Sequence, residues 1–279
     1  LFRGVQWSLM APDRPDLDNS EMARWDPGFV DLADKLIDPV MKLYFRATVR
    51  GLETVPPTGG VLMVCNHSGG MLTPDVLVLA PAFYKRFGLD RPLYTLAHYG
   101  VFITPLVSWL RKFGVVHANP DNAVKALESG GVVVVFPGGD YDAYRPTQKR
   151  NVIDFEGRTG YVRVAVEARV PIVPVVSIGA QETQWFLARG DGLARRLGLH
   201  RIRLDIMPLT LGFPFGLTPF MPSNFPLPSK IVTDVLPPID IAARFGDEPD
   251  IDEVDAHVRM VMQRALDRLA RERRFPILG

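Results

Sequence analysis

The stretch Val61–Asp75 constrains the fold and the chemistry of this chain more than any other. It begins with an uninterrupted apolar run, Val61–Cys65, which is typical of a buried strand. Asn66 and His67 follow at once, and Ser68–Gly70 form a turn-like segment after them. Because α/β sheets place their chemistry at the carboxyl ends of buried strands, this stretch predicts a functional histidine at a sheet edge.

Thr73 and Pro74 are typical of the N-cap and first position of a helix. Asp75 would then lie in the first helical turn and could point back at His67. A carboxylate beside an imidazole fixes its tautomer and stabilises its protonated form, as a general base requires. We therefore expect His67 and Asp75 to act as a pair.

The other apolar runs predict the remainder of a sheet. Val132–Phe136 is typical of a fully buried parallel strand, and it continues into a Pro-Gly-Gly turn. Val170–Ile178 predicts a strand whose two prolines favour a sheet edge or a bulge. Residues 92–110 carry no formal charge and predict a buried helical pair. With helices between the strands, the sequence predicts the α/β class, with a mostly parallel central sheet flanked by helices.

Length and composition indicate the domain organisation of the chain and argue against nucleic acid and metal as partners. The 279 residues contain no internal repeat and no long linker, so we expect an extended arm at 1–27 and a single domain at 28–279. A formal net charge of +1 gives no overall field for nucleic acid. Cys65 is the single cysteine, which excludes an internal disulfide, and no Cys/His cluster has zinc spacing. We expect no metal, no signal peptide and no transmembrane helix, and the sequence does not indicate an oligomeric state.

Two apolar segments leave alternatives open. Apolar residues recur at helical spacing in Phe29–Leu43, which predicts an amphipathic helix that either packs on the domain or lies on a membrane surface. The segment Ile206–Ser229 has no charged residue and six prolines. It either covers a core or forms an exposed, lipid-facing patch.

Three motifs occur in a specific order: Asn66-His67 with Asp75, then Phe136-Pro137-Gly138-Gly139, then Val170-Pro171-Ile172-Val173-Pro174-Val175. This order resembles the glycerolipid acyltransferase family, which includes the lysophosphatidic-acid and glycerol-3-phosphate acyltransferases and their neutral-lipid relatives. The resemblance covers roughly residues 45–180. It implies an O-acyltransferase of lipid metabolism that moves a fatty acyl chain to the hydroxyl of a lipid acceptor. The donor co-substrate would be acyl-CoA or acyl carrier protein, with no further cofactor.

The resemblance also implies roles for individual residues. His67 would take the proton of the acceptor hydroxyl, and Asp75 would orient it. Backbone amides of the glycine turn would bind the oxyanion that forms on the thioester. The residues implied for the oxyanion and the donor are Gly138, Gly139, Asp142 and Arg145, and those implied for substrate binding are Ser68, Gly69, Gly70 and Arg158.

Three departures from the family pattern bear on the substrate. The family spacing is His-x4-Asp, whereas seven residues separate His67 from Asp75. The family glutamate of Phe-Pro-Glu-Gly-Thr is replaced by Gly138, and Asp142 is a candidate for its role. An arginine common in the second family block is Ala118 here. Since arginine recognises phosphate bidentately, its loss favours the branch that acts on neutral lipids.

Two other functions compete with acyl transfer. One is a lipid esterase or thioesterase, although the chain has no Gly-x-Ser-x-Gly nucleophile elbow. The other is a non-catalytic lipid-binding protein that keeps the fold. Because the acceptor and product of the implied acyl transfer are lipids, we expect contact with a membrane surface and a peripheral protein on its cytoplasmic face.

Overall fold

The computed structural model describes residues 24–102, 107–202, 205–219, 221–275 and 277. The predicted N-terminal arm therefore lies outside the described residues, apart from 24–27. The described residues form one seven-stranded sheet, flanked by helices on both faces, and one three-stranded sheet. The predicted α/β class with a mostly parallel central sheet is confirmed.

The strands of the large sheet are β1 (Thr48–Arg50), β2 (Val61–Cys65), β3 (Leu93–Ala97), β4 (Val115–His117), β5 (Val132–Val135), β6 (Ile172–Ile178) and β10 (Val232–Val235). Their order in the sheet is β1-β10-β6-β2-β5-β3-β4. All neighbouring strands are parallel except β10 and β6, which are antiparallel. The predicted buried strands β2 and β5 lie side by side near its centre.

Helices cover both faces of this sheet because successive side chains of a strand point to opposite sides. Val61 and Met63 of β2 lie in the cluster that includes residues of α1 and α2, whereas Leu62 and Val64 lie in the cluster that includes α5, α7 and α10. The helices are α1 (Pro27–Leu43), α2 (Pro74–Phe87), α3 (Tyr99–Phe102), α4 (Val107–Lys112), α5 (Pro120–Glu128), α6 (Gly139–Ala143), α7 (Gly160–Glu167), α8 (Asp191–Arg196), α9 (Ile241–Phe245) and α10 (Ile251–Glu272). Among the described residues, we find no helix with the length and apolarity that a bilayer crossing demands.

Two predictions about this sheet are wrong. The prolines of 170–178 do not place that strand at an edge, since β6 lies between β10 and β2. Pro174 has no N–H to donate to Leu236 O, and the Thr54 hydroxyl lies 3.2 Å from that carbonyl oxygen instead. The predicted helical pair at 92–110 is also wrong in its first part, because Leu93–Ala97 forms a strand between β5 and β4.

The charge-free segment contributes to the small sheet, whose order is β7 (Trp185–Ala188), β8 (Leu209–Gly212) and β9 (Gly216–Pro219). The turn between β8 and β9 exposes Phe213 by 73% and Phe215 by 53%. Of the two alternatives for this segment, the structure therefore shows an exposed apolar surface in its described part.

Helix α1 is apolar on two sides. Val30, Ile37 and Met41 belong to the hydrophobic clusters beneath it. Its other side points outward and exposes Leu32, Leu36, Val40 and Leu43. The helix thus packs on the domain and also presents an unpaired apolar stripe.

Candidate active site

Three turns meet at one edge of the large sheet. Strands β2, β5 and β6 are parallel neighbours, so their carboxyl ends share this edge. His67 lies two residues after β2, Phe136 directly follows β5, and Gly179 directly follows β6. The sheet topology therefore brings together three motifs that are far apart in sequence.

His67 and Asp75 form the pair that the sequence predicts. His67 Nδ1 lies 3.3 Å from Asp75 Oδ2, and the Asp75 side chain is 5% exposed. The longer spacing is absorbed by a short 3₁₀ helix, Gly70–Leu72, before α2 begins. His67 Nε2 has no hydrogen-bond partner among the described residues. The arrangement leaves one ring nitrogen available to exchange a proton while a buried carboxylate orients the other.

The backbone of His67 is held by a second carboxylate. Asp142 Oδ2 accepts the His67 N–H at 2.7 Å, and Asp142 Oδ1 accepts from Arg145 Nη2 at 2.9 Å. Burial raises the pKa of Asp142, and the adjacent Arg145 opposes this rise. Arg145 is itself buried and also donates to Asp154 O. Asp142 therefore holds the backbone of His67 in place, and Arg145 holds Asp142. Their predicted role in binding the donor stays a prediction.

The glycine turn after β5 lies next to the histidine ring. The Phe136 ring centroid is 4.4 Å from that of His67. The Gly139 N–H donates to Phe136 O at 3.0 Å, so this amide closes the turn and is not left for an oxyanion. The Gly138 N–H has no partner among the described residues. Of the two predicted oxyanion donors, the turn therefore leaves the Gly138 amide.

Ser68, Gly69 and Gly70 hold the loop that carries His67. Ser68 donates its N–H to Asp75 Oδ2 at 2.7 Å and its hydroxyl to Asp75 Oδ1 at 3.1 Å. Gly69 and Gly70 have φ angles of +84° and +61°, which side chains rarely adopt. A Cβ at Gly70 would lie 3.0 Å from the Tyr144 ring. Their predicted contact with substrate stays a prediction, since their described contacts are all within the protein.

Sequence reasoning missed Gln181, which links two of the three turns. Its Oε1 accepts the Gly69 N–H at 3.0 Å, and its Nε2 donates to Arg145 O. Asn66 likewise exchanges two hydrogen bonds with the backbone of Ser177 in β6. No local pattern signals these contacts, because each joins residues far apart in sequence. The position of Gln181 just after a predicted strand end was the one available indication.

No group of three or more His, Cys, Asp or Glu side chains that could hold a metal ion occurs in the described part of the chain. The fold and the site thus define an α/β protein with a histidine–carboxylate pair at the carboxyl edge of its parallel sheet. A glycine turn with a free backbone amide lies beside that pair. A general base and a backbone hydrogen-bond donor are the groups that a group-transfer or hydrolytic site requires.

Comparison with known proteins identifies the family. A family model described as Acyltransferase matches residues 46–178, which include the first two turns and end at the last residue of β6. An uncharacterized protein from Mycobacterium tuberculosis is 34% identical over 91% of this chain and 70% of its own length. The chain spans 64% of the length of a similar Mycobacterium leprae protein. The chain belongs to the glycerolipid acyltransferase family, and its family and fold support acyl transfer to a lipid.

Two further comparisons agree with this assignment. A Gallus gallus protein named "DGAT1/2-independent enzyme synthesizing storage lipids" is 30% identical over 75% of this chain and 61% of that protein. The crystal structure of the 1-acyl-sn-glycerophosphate acyltransferase from Thermotoga maritima superposes with a TM-score of 0.52. That match covers 87% of this chain and 88% of the other at 18% identity, and it shows a shared fold.

Proposed function

We propose that this protein transfers a fatty acyl chain from acyl-CoA or an acyl carrier protein to the hydroxyl of a lipid, with His67 as general base. The observation that carries the proposal is the His67 Nδ1–Asp75 Oδ2 contact at 3.3 Å, which leaves Nε2 for the acceptor. No further cofactor takes part in this chemistry.

The reaction follows from these positions. Nε2 of His67 removes the acceptor's hydroxyl proton as the oxygen attacks the thioester carbonyl, and Asp75 stabilises the resulting imidazolium. The carbonyl oxygen becomes anionic, and the Gly138 N–H is the donor placed to bind it. When the C–S bond breaks, the imidazolium returns the proton to the leaving thiolate. The atoms balance without a covalent enzyme intermediate.

The contacts of Ser68 favour transfer over a serine-hydrolase mechanism. Its hydroxyl is buried and donates to Asp75, so it is not engaged in the serine–histidine contact that activates a hydrolase nucleophile. An esterase or thioesterase would have to use water in place of the lipid hydroxyl at His67.

The arginines near the site support a neutral acceptor. Ala118 stands where the family resemblance expects an arginine, and Arg145 already donates to Asp142 Oδ1 and Asp154 O. The name of the Gallus gallus relative refers to storage lipids, which is consistent with a neutral acceptor. We therefore propose a monoacylglycerol, a diacylglycerol or a long-chain alcohol as the acceptor class.

The apolar surface supports a peripheral position on a membrane. The Tyr44 hydroxyl, just after α1, donates to Pro226 O at 2.6 Å, and Phe225 N donates to Phe213 O at 2.7 Å. These bonds join the exposed stripe of α1 to the exposed aromatic residues of the small sheet. We name these exposed residues together the apolar face; it comprises Leu32, Leu36, Val40, Leu43, Phe213, Phe215 and Phe225. We propose that it contacts the cytoplasmic leaflet.

An acceptor panel tests the proposed function. The purified protein would receive one radiolabelled long-chain acyl-CoA and, separately, lysophosphatidic acid, glycerol 3-phosphate, monoacylglycerol, diacylglycerol and a long-chain alcohol. We expect labelled ester with the neutral acceptors. Release of free fatty acid at the same rate with and without an acceptor would identify a hydrolase instead.

A further inference from the structure

Arg158 is bonded to the outer side of the glycine turn. Its Nη1 donates to Pro137 O at 3.2 Å and to Gly138 O at 2.9 Å. Its Nη2 lies 3.6 Å from Asp140 Oδ1, and its guanidinium lies 5.3 Å from the centre of the Tyr141 ring. The side chain is 29% exposed. Arg158 therefore contacts four of the five residues from 137 to 141, which lie just before or within the start of α6.

These bonds fix the direction of two peptide groups. In a planar trans peptide, the N–H points opposite to the C=O. Because the Pro137 carbonyl points at Arg158, the Gly138 N–H points away from Arg158. The Gly138 carbonyl also points at Arg158, and the Gly139 N–H accordingly turns inward to Phe136 O, at 3.0 Å. Arg158 thus determines the direction of the free Gly138 N–H.

The same turn is tied to His67 from its inner side. The Phe136 ring is 4.4 Å from the His67 ring, and Asp142, in α6, accepts the His67 N–H. A Cβ at Gly138 would lie 2.5 Å from the Asp142 Cβ, which shows how closely the turn approaches this carboxylate. The turn that contains the Gly138 amide is therefore held on its inner side by residues that contact His67 and on its outer side by Arg158.

The remaining capacity of Arg158 for a phosphate is small. Nη1 is shared by two carbonyl oxygens, and Nη2 lies beside a carboxylate that would repel an anion. Arg189 stacks on the same Tyr141 ring at 4.9 Å and is paired with Glu156. Nη1 is therefore occupied by the turn, and the carboxylate of Asp140 disfavours a phosphate at Nη2, the other terminal nitrogen of the guanidinium.

We propose that Arg158 is a positioning residue that holds the Gly138 N–H toward the developing oxyanion and does not bind the donor's phosphates. This inference rests on the proposed acyl transfer. A preorganised donor stabilises the transition state more than the bound substrate, so loss of Arg158 lowers kcat and leaves the KM for the donor nearly unchanged.

The test compares two donors that differ in their phosphates. Arg158→Gln is assayed with a long-chain acyl-CoA and with the same acyl group on pantetheine, which has no phosphate. We expect kcat to fall by about 10²-fold with both donors, as for a misplaced catalytic group. Arg158→Lys, which can still donate to both carbonyls, should recover part of this loss. Arg163→Gln, on the exposed side of α7, is the matched control and should retain the parental kcat.

Binding and folding are measured on the same proteins. Calorimetric affinity for coenzyme A should stay within about twofold of the parent, since removing a group that acts only in the transition state spares ground-state binding. A raised KM for acyl-CoA, with unchanged kcat and no effect on acyl-pantetheine, would overturn the proposal and show a phosphate ligand. If Arg158→Gln unfolds, the Arg158→Lys protein decides between these outcomes by the same donor comparison. A parent that transfers no acyl group to any acceptor refutes the proposed function itself, a failure visible before any variant is made.

Discussion

Asp142 Oδ2 accepts the backbone N–H of His67 at 2.7 Å across 75 positions of the chain, while Asp75 Oδ2 lies 3.3 Å from the ring of the same residue. Two buried carboxylates thus hold one histidine, one through its backbone and one through its ring. They come from different elements, α6 and α2, so the position of the ring depends on the packing of both. This arrangement leads to the following predictions.

Gly138→Ala should lower kcat by about 10²-fold, the loss typical of a displaced catalytic group. A Cβ at Gly138 would lie 2.5 Å from Asp142 Cβ and 3.0 Å from its Cγ, so Asp142 must move and the His67 backbone with it. Gly192→Ala is the matched control, because neither position has a positive φ and a Cβ at Gly192 meets nothing within 4 Å. The measurement is kcat together with the thermal midpoint. Equal kcat in both variants would show that the turn tolerates a side chain.

Phe213→Ser/Phe215→Ser should reduce flotation with phosphatidylcholine liposomes. Burial of apolar area contributes about 25 cal/mol per Å², so two phenylalanines supply a few kcal/mol, or about tenfold or more in partitioning. Because the net charge is +1, we expect little further change on adding anionic lipid. Met260→Ser is the control, since Met260 is exposed on α10 at the opposite face of the sheet from α1. Flotation of the double variant at the parental level would remove the β8–β9 turn from the proposed apolar face.

Arg273→Gln should destabilise the protein by about 1–3 kcal/mol, less than the full loss of a buried pair because Arg150 remains. Arg273 Nη1 lies 2.7 Å from Glu182 Oε1, and the two side chains are 8% and 5% exposed. Arg150 Nε contacts the same oxygen at 3.0 Å and is more exposed. Denaturant unfolding of Arg273→Gln, Glu182→Gln and the double variant would measure the coupling. Arg274→Gln, at the exposed neighbouring position, is the control, and strictly additive effects would argue against the pair.

The sequence predicted those parts of the fold that are local in character. The apolar runs predicted β2 and β5 as buried strands, and Pro74 predicted the start of α2. The edge position predicted from the prolines of β6 failed because β10, more than 50 residues later in the chain, pairs with β6 on the side away from β2. That pairing leaves no trace in the strand's own sequence.

In the candidate site, too, local contacts could be predicted and long-range contacts could not. His67 and Asp75 were predictable because they lie eight positions apart on either side of one turn. The roles of Asp142, Gln181 and Arg158 were not, since each depends on which strand ends become neighbours. The two alternatives for α1 stayed open because, for a helix with two apolar sides, periodicity does not reveal which side packs.

His67→Ala provides the most direct test of the account, measured as transfer of a long-chain acyl group from acyl-CoA to a neutral lipid acceptor. We predict a loss of roughly 10²–10⁴-fold in kcat, the contribution of a general base, with the thermal midpoint preserved. Asp75→Asn should also lose activity, because the amide no longer stabilises the imidazolium that forms in the reaction. A well-folded His67→Ala protein that transfers the acyl group at the parental rate would contradict the mechanism.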